Sequence, residues 1–149
     1  MRLIQMIRPG RRRPVAAEQE VVNEIRALRG RLPDVTGVLV ASVDGLLVAH
    51  DTRGLEPDTV AAMSAAQLGL GQQLAREVAH GEYLENVTRT TSGYVAVFAA
   101  GQDGLLALLA GAGLNVGRLH HEARPVAARV GALLATARPA ANGDAKDRR

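Results

Sequence analysis

A change of hydrophobic period constrains this chain more than any other feature. Val21 or Val22, Ile25, Leu28 and Leu32 recur at spacings of three and four, so residues 15–29 read as an amphipathic helix. Pro14 suits its first turn, Gly30 the position just past its end, and Pro33 blocks continuation. Beyond Pro33 the period changes. Residues 37–43 and 46–50 are short, apolar and rich in β-branched side chains, and Asp44-Gly45 between them predicts a hairpin with a type I′ turn. A second helix is expected over 57–79, opened by Pro57 and Asp58 and stopped at Gly81.

The rest of the chain repeats the alternation. Residues 83–90 read as a strand with polar residues on both faces. Ser92-Gly93 turns into a strand over 94–100, and Gln102-Asp103-Gly104 into one over 105–110. These last two are continuously apolar, as central strands covered on both faces are. A final helix is expected over 116–137, with Asn115 as N-cap and a kink or division at Pro125. The order α-β-β-α-β-β-β-α, with hairpin links inside each strand group, predicts an α+β fold. Its sheet would be five-stranded and mostly antiparallel, with helices on both faces. The domain is expected over 15–137, between a basic tail at 1–14 and a disordered tail at 138–149.

Composition removes several classes of function. The chain has no cysteine, which excludes disulfides, thiolate metal sites and cysteine nucleophiles. Its aromatic residues are Tyr83, Tyr94 and Phe98 alone, too few for a base-stacking platform. The net charge of +3 is carried by the tails: residues 14–137 hold 9 basic against 13 acidic groups. A nucleic-acid-binding fold places its positive charge on the folded body, so no specific nucleic-acid partner is expected. Arg11-Arg12-Arg13 reads as a solvated basic tail. No apolar stretch reaches membrane-spanning length, and no apolar region follows the arginines as an export signal requires, so a cytoplasmic location is expected.

Motifs with catalytic associations lack their context. Gly111-Ala-Gly113-Leu-Asn-Val-Gly117 follows a strand and opens a helix, but no second parallel strand follows to complete a dinucleotide site. Gly69 and Gly71 lie within a helix, and no phosphate-loop Gly-Lys pair exists. His120-His121-Glu122 cannot converge on one ion, because successive helical residues diverge by about 100°. His50 and His80 have no partners at metal-ligand spacing, and Ser42, Ser64 and Ser92 lack a nucleophile context. No catalytic, cofactor or metal site is expected, and the chain reads as a non-enzyme.

The helix over 57–79 carries the functional signal. At about 100° per residue, Val60, Met63, Leu70, Leu74 and Val78 share an arc of about 80°, with Leu68 beside them, which predicts that this side faces the sheet. The other side holds Ala61, Ala62, Ala65, Ala66 and Gly69 with Gln72, Gln73 and Arg76. So uncharged a surface predicts close approach of another backbone. In the strand over 83–90, Tyr83, Glu85, Val87 and Arg89 point one way. Its two-sided polarity suits a sheet edge, and an unprotected edge invites pairing with a second chain. A homodimer joined edge to edge, its 57–79 helices side by side, satisfies both signals.

Residues 35–50, the run Ala61-Ala-Met-Ser-Ala-Ala-Gln-Leu-Gly-Leu-Gly71 and the ending Leu114–Arg124 resemble the Roadblock/LC7 family, in element order over about 15–137. The arginine- and alanine-rich composition is similar to actinobacterial members. The resemblance implies a homodimer with a continuous ten-stranded sheet, formed through the second helix and third strand. It implies a non-catalytic regulator that binds a small Ras-like GTPase on the paired second helices, with a sensor histidine kinase-like protein as a further partner. Arg76, the only arginine on that helix, is the sole candidate for insertion into a GTPase site. Other readings the sequence leaves open are a dimeric scaffold for signalling proteins and a small-molecule sensory module.

Overall fold

The computed structural model describes residues 15–136; the two tails and Ala137 lie outside them. The order is α1 (Val15–Arg31), β1 (Val35–Ser42), β2 (Leu47–Asp51), α2 (Pro57–Glu77), β3 (Glu85–Arg89), β4 (Gly93–Ala100), β5 (Gly104–Gly111) and α3 (Val116–Thr136). Every strand pairing is antiparallel, and the sheet runs β2-β1-β5-β4-β3. This is the expected α+β architecture, with β5 at the centre and β3 at an edge.

Two cores follow from the pleat. On one face, Val38, Val40, Phe98, Leu106 and Leu108 meet Ile25 and Leu28 of α1 and Leu119, Val126 and Val130 of α3. On the other, Leu39, Leu47, Val97 and Leu105 meet Ala61, Ala65 and Leu68 of α2. Alternation of side chains along each strand sends neighbours such as Val38 and Leu39 to opposite cores.

Several local expectations change; α1, for one, runs through Gly30 to Arg31 rather than ending before it. The β1–β2 loop is not a type I′ turn, because Gly45 has φ of 84° while Asp44 is not among the positive-φ residues. Gly45 N–H donates to Ser42 C=O at 3.0 Å and Ser42 N–H to Leu46 C=O at 2.9 Å, which makes a three-residue loop ending in a left-handed glycine. The glycine is needed twice over, since a Cβ on Gly45 would stand 3.1 Å from Ala62 Cα. Helix α3 is not divided at Pro125 but runs through it as one element. Its buried residues on both sides of the proline pack on one sheet face. Asn115 caps it as expected, its Oδ1 accepting from Arg118 N–H at 3.0 Å.

Helix α2 stops at Glu77, ahead of Gly81. His80 N–H donates to Ala75 C=O and Ala79 N–H to Arg76 C=O, both at 3.1 Å, the paired bonds of a Schellman ending. Ala79 occupies the left-handed position, φ 52°, where glycine is usual.

Candidate interaction surface

The expected orientation of α2 holds at Val60 and Leu68, which pack on the sheet side, and fails for the rest of the apolar arc. Ala61, Ser64, Ala65 and Leu68 pack against the sheet, whereas Met63 is 66% exposed, Leu70 68%, Leu74 61% and Val78 47%. The cause lies in the sheet. Leu39, Leu47, Leu105 and Val97 already fill the layer with large side chains, so the helix contributes small ones and sits close. Ala61 and Ala65 are therefore core residues of their own domain and cannot line an external surface. Ala62, Ala66, Gly69, Gln73 and Arg76 are exposed, and Gln72 is half-buried.

Helix α2 thus has three sides. One rests on the sheet. A second, the small-residue side from Ala62 to Arg76, faces outward. The third is the apolar stripe Met63–Leu70–Leu74–Val78, about 130° round the axis from the sheet contact at ~100° per residue. Gln67 lies along this stripe, and its Nε2 donates to Thr88 Oγ1 of β3 at 2.9 Å. The stripe therefore leans toward β3, and Leu84, 72% exposed, extends it to the strand's entrance. Hydrophobic pattern revealed the stripe but not its direction, and Leu84 was not among the interface residues expected from the sequence.

At the edge, the predicted face of Tyr83, Glu85, Val87 and Arg89 splits. Tyr83 precedes β3 and packs on the α2 side. Its ring lies on Gly71, where an added Cβ would collide with it. Its hydroxyl donates to Val97 C=O at 3.1 Å. Burial, reinforced by the Glu85 charge, pushes this phenol up to about 12. Val87 packs on the opposite core with α1 and α3. Glu85 accepts from Arg124 Nε at 3.1 Å and from its Nη2, and His120 Nε2 stands 3.7 Å away. The hydrogen bonds from Arg124 hold the Glu85 carboxyl below the usual carboxylate range. Arg89 is exposed, with no ion-pair partner among the described residues.

His120 meets Phe98 edge-on, ring centroids 6.0 Å apart, and His121 is exposed. Among the described residues, no group of three or more metal-ligating side chains converges. No helix among them is long and apolar enough to cross a membrane.

A five-stranded antiparallel sheet with one helix on one face and two on the other, and an apolar helix stripe beside an open edge, define an interaction domain rather than a cleft. The chain belongs to the Roadblock/LC7 domain family, whose model matches residues 21–110. It is similar to a solved structure titled MglB with tetrameric arrangement, at 18% identity and a TM-score of 0.80, over 89% of this chain and 100% of that one. The gliding protein MglB from Thermus thermophilus matches at 18% identity and a TM-score of 0.78, over 88% and 100%. A Roadblock/LC7 domain from Streptomyces avermitilis matches at 26% identity and 0.69, over 75% and 95%. No curated protein matches the chain.

Proposed function

We propose that this protein is a non-catalytic, cytoplasmic homodimer that serves as a docking platform for a small Ras-like GTPase in bacterial signalling. The observation that carries the reading is the continuity of the exposed α2 stripe with the β3 edge. Four large apolar side chains in one helical line gain most when a second surface excludes water from them, at about 25 cal/mol per Å² buried. A second copy brings the same stripe and the same open edge, so one twofold contact covers both.

Dimerisation through the stripe leaves the small-residue side of α2 facing outward. Ala62, Ala66, Gly69, Gln73 and Arg76 of both copies then form one broad surface of low relief, and this is the surface proposed for the GTPase. The family resemblance supplies the partner class, an associational warrant. A sensor histidine kinase-like protein belongs to the same proposed assembly. Arg76 is the one side chain on this surface with the charge to reach a nucleotide phosphate.

Sedimentation of the full chain, followed by capture of lysate proteins in the presence of GTP or GDP analogues, tests the reading. The expected result is a dimer that retains a small GTPase preferentially in one nucleotide state. A dimer that retains none in either state removes the GTPase from the proposal.

A further inference from the structure

We infer that two copies of β3 pair about a twofold axis through Val87, with Glu85 of each copy opposite Arg89 of the other. The inference rests on the homodimer reading and adds to it the register and the charge pair that select this chain's own copy.

The backbone fixes which residues meet the partner. Ala99 N–H donates to Leu84 C=O at 2.9 Å and Thr90 N–H to Gly93 C=O at 2.8 Å. Alternation within an antiparallel ladder then turns the N–H and C=O of Leu84, Asn86, Thr88 and Thr90 toward β4. Glu85, Val87 and Arg89 turn theirs to the open edge. Their side chains share the α1–α3 face, as Val87 in that core and Glu85 on Arg124 of α3 establish.

Charge selects among the symmetric registers. An axis at Glu85 sets two carboxylates face to face, and an axis at Arg89 sets two guanidinium groups face to face; directly opposed like charges destabilise a ladder. An axis at Asn86 places Arg89 opposite Tyr83, and one at Thr88 places Glu85 opposite Thr91. The axis at Val87 alone uses all three outward residues within β3, joins valine to valine, and makes two Glu85–Arg89 pairs. It supplies an ion-pair partner, which Arg89 does not have among the described residues. On the other face it sets Asn86 opposite Thr88. Because Gln67 of α2 is bonded to Thr88, one residue from the axis, the same register also brings the two Met63–Leu74 stripes together.

The absence of native cysteine permits a direct test on the full chain. Cα atoms of a hydrogen-bonded antiparallel pair stand about 5.5 Å apart, within disulfide range. The variants Glu85→Cys, Val87→Cys and Arg89→Cys are oxidised singly and in mixtures. The expected result is rapid self-linkage of Val87→Cys and mixed linkage of Glu85→Cys with Arg89→Cys. Self-linkage of Glu85→Cys or Arg89→Cys in preference, in a protein that sediments as a dimer, overturns the register and leaves the dimer standing. A parent chain that sediments as a monomer overturns both. Independently of Val87, Arg89→Glu is expected to weaken the dimer by about tenfold or more. An unchanged dimer constant for Arg89→Glu also overturns the register.

Discussion

The two edges of the sheet are finished in opposite ways. At β2 every residue from Leu47 to Asp51 is buried. Asp51 is held by Arg29 of α1 at 2.6 Å, and His50 Nδ1 bonds Thr52 Oγ1 at 2.8 Å. At β3 no residue is fully buried, and the neighbouring helix turns its largest apolar side chains to solvent. A strand edge is a hazard wherever it is left open. One edge of this protein is flanked by buried side chains of its own domain; the other lies beside an exposed apolar stripe. Position in the sheet alone does not distinguish them. What flanks each edge does.

The strongest test of the contrast falls on the open edge. Leu70→Asp is expected to weaken the proposed dimer by about 100-fold, about 2.7 kcal/mol, because it places a charge in the contact. The folded monomer should keep its stability within about 0.5 kcal/mol, since the side chain lies outside the core. Sedimentation against concentration, with chemical denaturation of the dilute monomer, reads both. If stability collapses instead, Leu70 belongs to the domain and the two edges are not different in kind. The converse change at the closed edge is Arg29→Ala. It leaves the buried Asp51 carboxylate without its cation and should cost about 2 kcal/mol in folding. The dimer constant should not move.

The fold was legible because its signals are local. The period change at Pro33, the glycine-bearing loops and the capping Asn115 each act over a few residues, and they delivered all eight elements in order. The direction of α2 was not legible from α2 alone. Which side of an amphipathic helix faces inward depends on what the opposing layer already contains, and Leu39, Leu47 and Leu105 arrive from three different strands. The apolar arc of Met63, Leu70, Leu74 and Val78 was real; reading hydrophobicity as burial assigned it to the sheet, whereas it faces solvent. The small residues at Ala61 and Ala65 carry the opposite lesson, because closeness of packing produced them. The split between Tyr83 and Glu85 was hidden for a simpler reason: β3 begins only at Glu85, so strand alternation does not extend back to Tyr83.

A subtler difference between the edges is their response to acid. Burial lowers the pKa of His50 from its ordinary value, while Asp51 and Asp58 act in the opposite sense. A histidine with a depressed folded-state pKa stabilises the fold above the unfolded value of 6.5. That contribution is lost as pH falls from 6.5 through the folded-state value. Parent and His50→Gln proteins, denatured at pH 7.5 and at pH 5.5, should therefore differ in pH sensitivity, the parent losing more. Equal losses would show that the closed edge does not hold its histidine neutral.

The smallest expected effect concerns the link between the stripe and the open edge. Ala79 ends α2 in the left-handed region, at φ 52°, where its Cβ crowds the backbone and glycine does not. Ala79→Gly relieves that strain but gives the unfolded chain more freedom, so the net gain should be only about 0.5 kcal/mol. Both bonds of the Schellman ending, Ala79 N–H to Arg76 and His80 N–H to Ala75, involve the backbone alone and survive the change. The stripe should then keep its orientation, and the dimer constant should stay within about twofold of the parent at the measured gain in stability. Thermal denaturation and sedimentation of the one variant separate these outcomes. A weakened dimer with increased stability would mean that the alanine holds Leu84 and β3 in place for the partner, which makes the strain part of the open edge rather than an accident of the helix terminus.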